Sequence, residues 1–199
     1  MEEGRAARVF LAVGVSGDVA AAVTRLQNAL GQGAPAGLFR LVDGGQCHVT
    51  LRFLGQRSGE EQQRIMAAAA AVARVSAPFG VAFGGLGVFP DARRPHTLWL
   101  GLTEGKGALV GLAARLETAL GEAGFAPEGR PFVPHLTVAR IKQRPAPALV
   151  KQLLGAGMEP TRVQAVESFA LMESRATGAG VRYVPLRLFQ LETACTPSK

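Results

Sequence analysis

The sequence contains one strand–helix–strand pattern twice, and this repetition constrains the fold more than any other feature. Shifting the chain by 87 residues places the apolar run 10–15 on the run 97–102, and it places His48 on His135. Between these strands, segments 25–30 and 115–120 share the pattern Arg-Leu-x-x-Ala-Leu after a slip of three residues. Any two Ala- and Leu-rich units look somewhat alike, but this match includes two of only three histidines. The pattern therefore indicates an internal duplication.

Strands and helices alternate along both copies. Apolar and β-branched runs predict strands at 8–15, 47–54, 79–89, 97–102, 132–141, 163–172 and 181–191. Helical spacing predicts helices at 19–30, 58–75, 107–123 and 148–154. Ser16 and Thr103 suit N-caps, and Gly31 and Gly124 suit helix ends. No low-complexity linker divides the chain, so we predict one two-lobed α+β domain over 1–199, with repeat units of about 8–90 and 95–192 and lobes that need not be continuous.

Composition excludes several classes of protein. Hydrophobic residues make up 48% and charged residues 19%, which excludes wholesale disorder. The longest uncharged stretch, 75–90, is too short and too rich in glycine for a membrane span. Two cysteines, Cys47 and Cys195, make no disulfide framework, and the first residues lack the order of a secretion signal, so we expect a cytoplasmic protein. The net charge of +7 is mild and spread along the chain, so it does not by itself identify a polyanion partner.

The residues that can carry chemistry are His48 and His135, each followed two positions later by a threonine. In a strand, positions i and i+2 lie on one face about 7 Å apart, so His48 shares a face with Thr50 and His135 with Thr137. Two such strands related by a pseudo-twofold aim two imidazoles and two hydroxyls into one cleft. A single His-x-Thr is more often a core histidine with satisfied nitrogens, but the matched pair favours a site.

This set of groups suits phosphoester hydrolysis without a metal. Imidazole titrates near neutrality, so one histidine can activate water while the other supplies a proton to the departing oxygen. Threonine hydroxyls can hold the non-bridging oxygens for in-line attack. No zinc-ligand spacing, phosphate-binding loop or Gly-x-Ser-x-Gly motif occurs in the sequence, so we expect no metal and no cofactor.

The two motifs resemble those of a known superfamily. Segments 48–55 (HVTLRFLG) and 134–140 (PHLTVAR) resemble the paired signatures of the two-histidine (2H) phosphoesterases. Within it, they are similar to the bacterial and archaeal RNA 2′,3′-cyclic phosphodiesterases, historically called 2′-5′ RNA ligases. Shorter matches at 8–13, 87–90, 98–100 and 169–174 extend the resemblance over nearly the whole chain.

The resemblance implies a fold and an activity. The fold is a pseudo-twofold pair of antiparallel sheets around a central cleft, with helices outside. The activity is the opening of a 2′,3′-cyclic phosphate at an RNA end or nucleotide to a 2′-phosphate. His48 would be the proton donor and His135 the proton acceptor, and Thr50 and Thr137 would bind the phosphoryl oxygens. The near-symmetry of the motifs leaves the acid and base roles undecided from the sequence.

Other candidates rest on weaker patterns. Arg52 has the parity of His48 and Thr50 and is a candidate for contacting phosphate or for lining a solvated edge. Arg140 has the opposite parity to His135 and reaches the site only if its strand bulges. Cys47 neighbours His48 and so points to the other face, where packing is the expected role. Phe10, Phe53, Phe132 and Trp99 are candidates for stacking on a base, although burial in strands is the usual fate of such residues.

Two further interpretations of the cleft stay open. A related enzyme would act on another cyclic phosphate, such as an ADP-ribose 1″,2″-cyclic compound, or on a 2′-5′ linkage, including reversible RNA ligation. An RNA-end-binding module would keep the cleft without turnover, although binding alone needs no acid–base pair. A metal hydrolase is a more distant alternative. We expect a monomer with no membrane association and no obligate protein partner.

Overall fold

The computed structural model describes residues 5–155, 158–178 and 180–192. Within these ranges the strands are β1 (Ala7–Gly14), β2 (Phe39–Leu41), β3 (His48–Arg57), β4 (Phe79–Phe89), β5 (Thr97–Glu104), β6 (Leu136–Ile141), β7 (Gln164–Val166), β8 (Ser168–Thr177) and β9 (Gly180–Gln190). The α-helices are α1 (Gly17–Gly33), α2 (Gly59–Arg74), α3 (Lys106–Glu122) and α4 (Pro147–Gly155), and a short 3₁₀ helix covers Gly44–Gln46.

The strands form two antiparallel sheets. One has the order β3-β1-β8-β9 and the other the order β2-β6-β5-β4-β7. Helices α2 and α3 pack on each other behind the first sheet, while α1 and α4 contact β6 and β4 of the second. The α+β fold with two antiparallel sheets and helices outside is therefore confirmed.

Strand pairing repeats at the same offset of 87 residues that the sequence shows. In both lobes the central strand, β1 or β5, pairs with the strand of the His-x-Thr motif. The equivalent pairs are Phe10–Phe53 with Thr97–Arg140, Leu11–Arg52 with Leu98–Ala139, Ala12–Thr50 with Trp99–Thr137, and Val13–Val49 with Leu100–Leu136. Both ladders skip one residue at the same point, which leaves β-bulges at Leu51 and Val138.

The third strand of each lobe comes from the other half of the chain. β8 pairs with the far side of β1, and β4 pairs with the far side of β5. Each sheet therefore combines strands from both halves, and the lobes are discontinuous in sequence. The extent of the repeat units, 8–90 and 95–192, stays a prediction.

Helix ends follow local chemistry, with two differences from the expectation. The Ser16 hydroxyl accepts a hydrogen bond from the Val19 amide at 3.4 Å, as predicted for an N-cap. Helix α1 continues past Gly31 to Gly33, since a glycine lowers helix stability without ending the helix. Helix α3 begins after Gly105, which has φ of 74°, and not at Thr103; no side chain caps it.

Strand β6 begins later than predicted, at Leu136, because residues 126–135 approach it as an irregular segment. His135 consequently lies at the last position before the strand. Among the described residues, no helix is long and apolar enough to cross a membrane.

Candidate active site

The two motif histidines occupy equivalent places, each where a connecting segment enters a strand. His48 is the first residue of β3, and His135 directly precedes β6. The Nδ1 atom of His48 lies 2.8 Å from the carbonyl oxygen of Gln46, and that of His135 lies 2.7 Å from the carbonyl oxygen of Val133. In both cases the partner is the residue two positions upstream. The duplication therefore extends to the hydrogen bonds of the imidazole rings.

These carbonyl contacts determine which ring nitrogen titrates. A carbonyl oxygen accepts hydrogen bonds and cannot donate them, so Nδ1 carries the hydrogen in each ring. In the neutral imidazole, Nε2 is then the free base, and it gains a proton when the ring becomes charged. Each histidine therefore presents Nε2 as its acid–base atom.

Contacts along β6 bring the two motifs together. The Val42 amide donates to the Val138 carbonyl at 3.1 Å, and the side-chain amide of Gln27 donates to the carbonyls of both Val42 and Val138. The Cys47 thiol, next to His48, lies 4.0 Å from the Thr137 carbonyl. The segment before β3 therefore runs along β6.

Burial lowers the pKa of both histidines. For His48, loss of hydration is the largest cause, the bond to Gln46 opposes it, and the charge of His135 lowers the pKa further. For His135, loss of hydration is again the largest cause, the bond to Val133 opposes it, and the charge of Arg140 lowers the pKa further. The effect of the His135 charge on His48 places the two imidazoles within electrostatic range.

Aromatic rings enclose each histidine. The His48 ring lies 4.9 Å from Phe10 and 4.8 Å from the edge-on ring of Tyr183, measured between centroids. The His135 ring lies 4.8 Å from Phe89, edge-on, and 6.0 Å from Trp99. These rings supply the burial that lowers both pKa values.

Sequence reasoning missed Tyr183 and Phe89 as neighbours of the histidines. Tyr183 is the one tyrosine in the chain, on a predicted strand, and Phe89 belongs to the short match at 87–90. Their proximity to the histidines depends on which strands pair, which no local pattern reveals.

Thr50 and Thr137 lie two residues beyond their histidines and are half-buried. The side chains of β3 and β6 alternate between the two faces as far as Thr50 and Thr137, so each hydroxyl shares a face with its imidazole. No side chain or backbone group within the described residues forms a hydrogen bond with either hydroxyl. Both hydroxyls are therefore available to a ligand.

The structure supports neither alternative for Arg52, since its side chain does not face the cleft and does not line a solvated edge. The bulge at Leu51 breaks the alternation, so that Leu51 and Arg52 are both buried and Phe53 is exposed. The Arg52 guanidinium forms ion pairs with Glu117 of α3 and with Glu128. It points away from Thr50, toward the helices, and is removed from the set of phosphate-binding candidates.

The equivalent bulge at Val138 has the opposite consequence for Arg140. It places Arg140 on the face of His135 and Thr137, which simple alternation did not allow. Arg140 Nη1 donates to the Thr97 hydroxyl at 2.5 Å, and the charge of the guanidinium lowers the pKa of His135. Arg140 therefore lies at the site.

Phe53 holds in the first lobe the register position that Arg140 holds in the second. Its side chain is 61% exposed, and its ring lies 6.1 Å from Phe10, which stacks on His48. Phe10 itself is buried. Equivalent positions of the two lobes thus carry an exposed aromatic ring in the first lobe and a cation in the second.

A concavity of about 890 Å³ adjoins His48 on the inner face of the first sheet. Its lining includes Ala12, Gln46 and Tyr183. A second concavity of about 780 Å³ lies between α1 and α4 and touches neither motif histidine. The first is large enough to admit a nucleotide beside His48.

Cys47 is buried, and burial raises the pKa of its thiol to about 11, as expected of a packing residue and not of a nucleophile. Cys195 lies outside the described residues. In ranges 5–155, 158–178 and 180–192, no three His, Cys, Asp or Glu side chains are grouped closely enough to hold a metal ion.

Known proteins are similar to this chain in sequence and in fold. A sequence model of the 2′-5′ RNA ligase superfamily matches residues 15–178. The RNA 2′,3′-cyclic phosphodiesterase of Thermus thermophilus is 35% identical, over 92% of this chain and 90% of its own length. The enzyme of the same name from Aquifex aeolicus is 32% identical, over 72% of this chain and 77% of its own length.

Solved structures give the same architecture. TT0787 of Thermus thermophilus superimposes with a TM-score of 0.76 at 31% identity, covering 94% of this chain and 98% of that one. Escherichia coli LigT complexed with 3′-AMP has a TM-score of 0.73 at 24% identity and covers 94% of this chain and 99% of that one, a likeness of fold. With both His-x-Thr motifs inside the matched region and more than 30% identity along nine-tenths of the sequence, the chain belongs to the 2′-5′ RNA ligase superfamily.

Proposed function

We propose that this protein is a hydrolase that opens the 2′,3′-cyclic phosphate of RNA ends or nucleotides to a 2′-phosphomonoester. The observation that carries the proposal is the matched pair of imidazoles, each with Nδ1 donating to a carbonyl and Nε2 left to exchange protons. Family membership and the names of the relatives support a hydrolase acting on phosphodiester bonds.

His135 acts as the base in this proposal. The guanidinium of Arg140 opposes a positive charge on the ring, so His135 favours the neutral form that can accept a proton. Its Nε2 takes a proton from water while the water oxygen bonds to phosphorus. The choice of His135 over His48 as base follows the resemblance, because nearby positive charge lowers the pKa of both rings: Arg140 acts on His135, and His135 acts on His48.

His48 acts as the acid. As the bond from phosphorus to the 3′-oxygen breaks, protonated Nε2 of His48 supplies a proton to that oxygen, which leaves a 2′-phosphate and a 3′-hydroxyl. Thr50 and Thr137 donate hydrogen bonds to the non-bridging oxygens, whose charge grows in the transition state. Arg140 adds a positive charge near the same group.

The exposed ring of Phe53 supports a nucleoside as part of the substrate. A base stacked on this ring would cover apolar surface that water otherwise contacts, and every base has a π-face suited to such a contact. Phe53 lies on the His48 side of the site, which places the nucleoside near the proposed acid.

The direct test is hydrolysis of a 2′,3′-cyclic nucleotide and of an RNA with a cyclic-phosphate end, both in excess chelator. We expect a 2′-phosphomonoester as product, and a fall in kcat of about 100- to 10,000-fold for His48→Ala and for His135→Ala. The matched control is His96→Ala, because His96 is the third histidine and lies exposed in the loop between β4 and β5. Its activity should equal that of the wild type.

Other products or substrates distinguish the remaining interpretations. Release of a 3′-phosphate, or a requirement for added metal, would contradict the mechanism. Higher kcat/KM on another cyclic phosphate or on a 2′-5′ linkage would assign that substrate to the same cleft. RNA binding equal in the wild type and the double histidine variant, with no product from either, would identify a binding module.

Three further expectations accompany the proposal. RNA or nucleotides bearing a cyclic phosphate are the ligands, a cytoplasmic setting fits the absence of a disulfide framework, and the protein is expected to act as a monomer. Gel filtration with light scattering checks the last of these.

A further inference from the structure

Arg52 makes a set of contacts that the proposed chemistry does not use. Its side chain is 8% exposed, although it belongs to the strand that carries His48 and Thr50. Nε lies 3.1 Å from a carboxylate oxygen of Glu117, Nη1 donates to Glu128 at 3.0 Å, and Nη2 donates to the carbonyl of Ala126. The two terminal nitrogens form hydrogen bonds, and Nε is buried beside the Glu117 carboxylate without a hydrogen bond. A buried guanidinium held at both terminal nitrogens is restrained in its orientation.

These contacts hold the segment that precedes His135 in place. Residues 126–135 lead from α3 to β6, and most of them are exposed. Apart from the bond of the His135 ring to Val133, two hydrogen bonds link the backbone of 126–134 to other described residues: Arg52 donates to the Ala126 carbonyl, and the Glu128 amide donates to the Glu117 carboxylate. Val133, whose carbonyl holds His135 Nδ1, lies in this same segment.

The corresponding segment of the first lobe is held differently. Before His48, the backbone forms a 3₁₀ helix, and the Val42 carbonyl accepts a hydrogen bond from the Gln27 side-chain amide at 2.6 Å. The Tyr183 amide also donates to the Gln46 side chain at 2.6 Å. The position equivalent to Arg52 in the second lobe is Ala139, which cannot reach across. The lobes are therefore unequal, and the Arg52 network compensates for the sparser bonding on the His135 side.

We propose that Arg52 is a positioning residue: through Ala126, Glu128 and Glu117 it fixes the 126–134 segment, and so holds the Val133 carbonyl that orients the His135 ring. Because Arg52 lies two residues beyond Thr50, this contact also sets the His135 segment relative to the strand of the first motif. The inference rests on the proposed function for its catalytic meaning, but the ring orientation exists without turnover.

The test compares Arg52→Lys and Arg52→Gln with a matched control, Glu173→Gln. Glu173 is also buried in the first sheet and pairs with two arginines, Arg5 and Arg175, but it contacts no part of the 126–134 segment. Urea unfolding first establishes that each variant is folded. Lysine keeps the charge but lacks the three-pronged geometry, so it serves as the gentler substitution if Arg52→Gln unfolds.

The first readout is NMR titration of ¹⁵N-labelled histidines, which needs no turnover. The Val133 bond raises the pKa of His135, so a loosened segment should lower that pKa further and reduce the Nδ1–H tautomer. We expect both changes at His135 in Arg52→Gln and smaller ones in Arg52→Lys, with neither in Glu173→Gln. Unchanged His135 signals in both Arg52 variants, or an equal change in the control, would overturn the inference.

The second readout is steady-state kinetics. We expect kcat of Arg52→Gln to fall about 10- to 100-fold with little change in KM, and the acid limb of kcat/KM to move to lower pH. A lower unfolding midpoint with wild-type kcat would mean that Arg52 is structural only. Absence of turnover in the wild type would instead contradict the proposed function, and the titration would still decide the role of Arg52.

Discussion

At the level of single residues, the site depends on one hydrogen bond in each half of the chain, between a histidine ring and the carbonyl two residues before it. His48 and His135 bond to the carbonyls of Gln46 and Val133, and the same local geometry recurs because the same strand entry recurs. What differs is the surroundings: Arg140 stands beside one ring, and Phe53 occupies the equivalent position near the other. Two similar imidazoles thereby receive different electrostatic environments, as the proposed acid and base roles require.

The lowered pKa values predict an acid-shifted pH profile. In the free enzyme the reactive form has one ring protonated and one neutral, and burial lowers both pKa values from the ordinary 6.5. We therefore expect a bell-shaped kcat/KM with its maximum below pH 6.5. Bound phosphodiester carries negative charge that favours imidazolium, so the maximum of kcat should lie at higher pH.

Initial rates over a pH range of about 4 to 9 on a 2′,3′-cyclic nucleotide check this expectation. A monotonic profile, or a kcat/KM maximum well above neutrality, would contradict the two-histidine mechanism. In the Arg140→Gln variant the cation beside His135 is lost, so the acid limb should move to higher pH.

At the scale of elements, the bulges decide more than strand propensity does. Residues 47–54 and 136–141 have the composition of strands, and both form strands, but the extra residue at Leu51 or Val138 reverses the faces of the residues that directly follow it. Arg52 and Arg140 exchange their predicted faces for this reason. A bulge depends on the register with the partner strand, β1 or β5, and the alternation within the bulged strand does not encode it.

The pairing of β4 with β5 predicts that Gly87→Ala destabilises the protein. A Cβ on Gly87 would lie 2.2 Å from the Trp99 indole, so Gly87→Ala must displace that ring. We expect a loss of about 1–3 kcal/mol in the free energy of unfolding, and lower kcat because Trp99 packs near His135.

The control for this prediction is Gly31→Ala in α1. A Cβ there meets nothing within 4 Å, and alanine favours the helix, so stability should rise by about 0.5–1 kcal/mol with kcat unchanged. Urea unfolding and initial rates of both variants measure these effects. Equal changes in the free energy of unfolding of the two variants would show that contact with Trp99 does not destabilise Gly87→Ala.

At the scale of the whole molecule, the exchanged third strands join the lobes into one structure. β4 leaves the first half of the chain to complete the second sheet, and β8 returns from the second half to complete the first. Neither half can bury both faces of a complete sheet alone. The cleft between the lobes is therefore held by topology as well as by contacts such as that of the Cys47 thiol with the Thr137 carbonyl.

This topology predicts one cooperative unfolding transition. Trp99, the one tryptophan, reports on the second sheet, the His48 ring NMR signal reports on the first, and far-ultraviolet circular dichroism reports on both. The three probes should give coincident urea midpoints, as two-state unfolding of a single domain requires. Separate midpoints for Trp99 and His48 would show that the lobes unfold independently and would contradict the single-domain prediction.

The duplication follows from the amino-acid pattern alone, through the offset of 87 residues. The α+β class and the shared strand face of each His–Thr pair follow from it too, because they depend on spacing within a few residues. Tertiary structure alone decided the rest: the bulges that turn Arg52 inward and Arg140 toward His135, the exchange of β4 and β8, and the rings of Tyr183 and Phe89 around the histidines. The physical reason is that register and strand order are set by backbone hydrogen bonds between residues far apart in the chain. Spacing along the chain shows which side chains share a strand face. Pairing between distant strands decides which other side chains that face contacts.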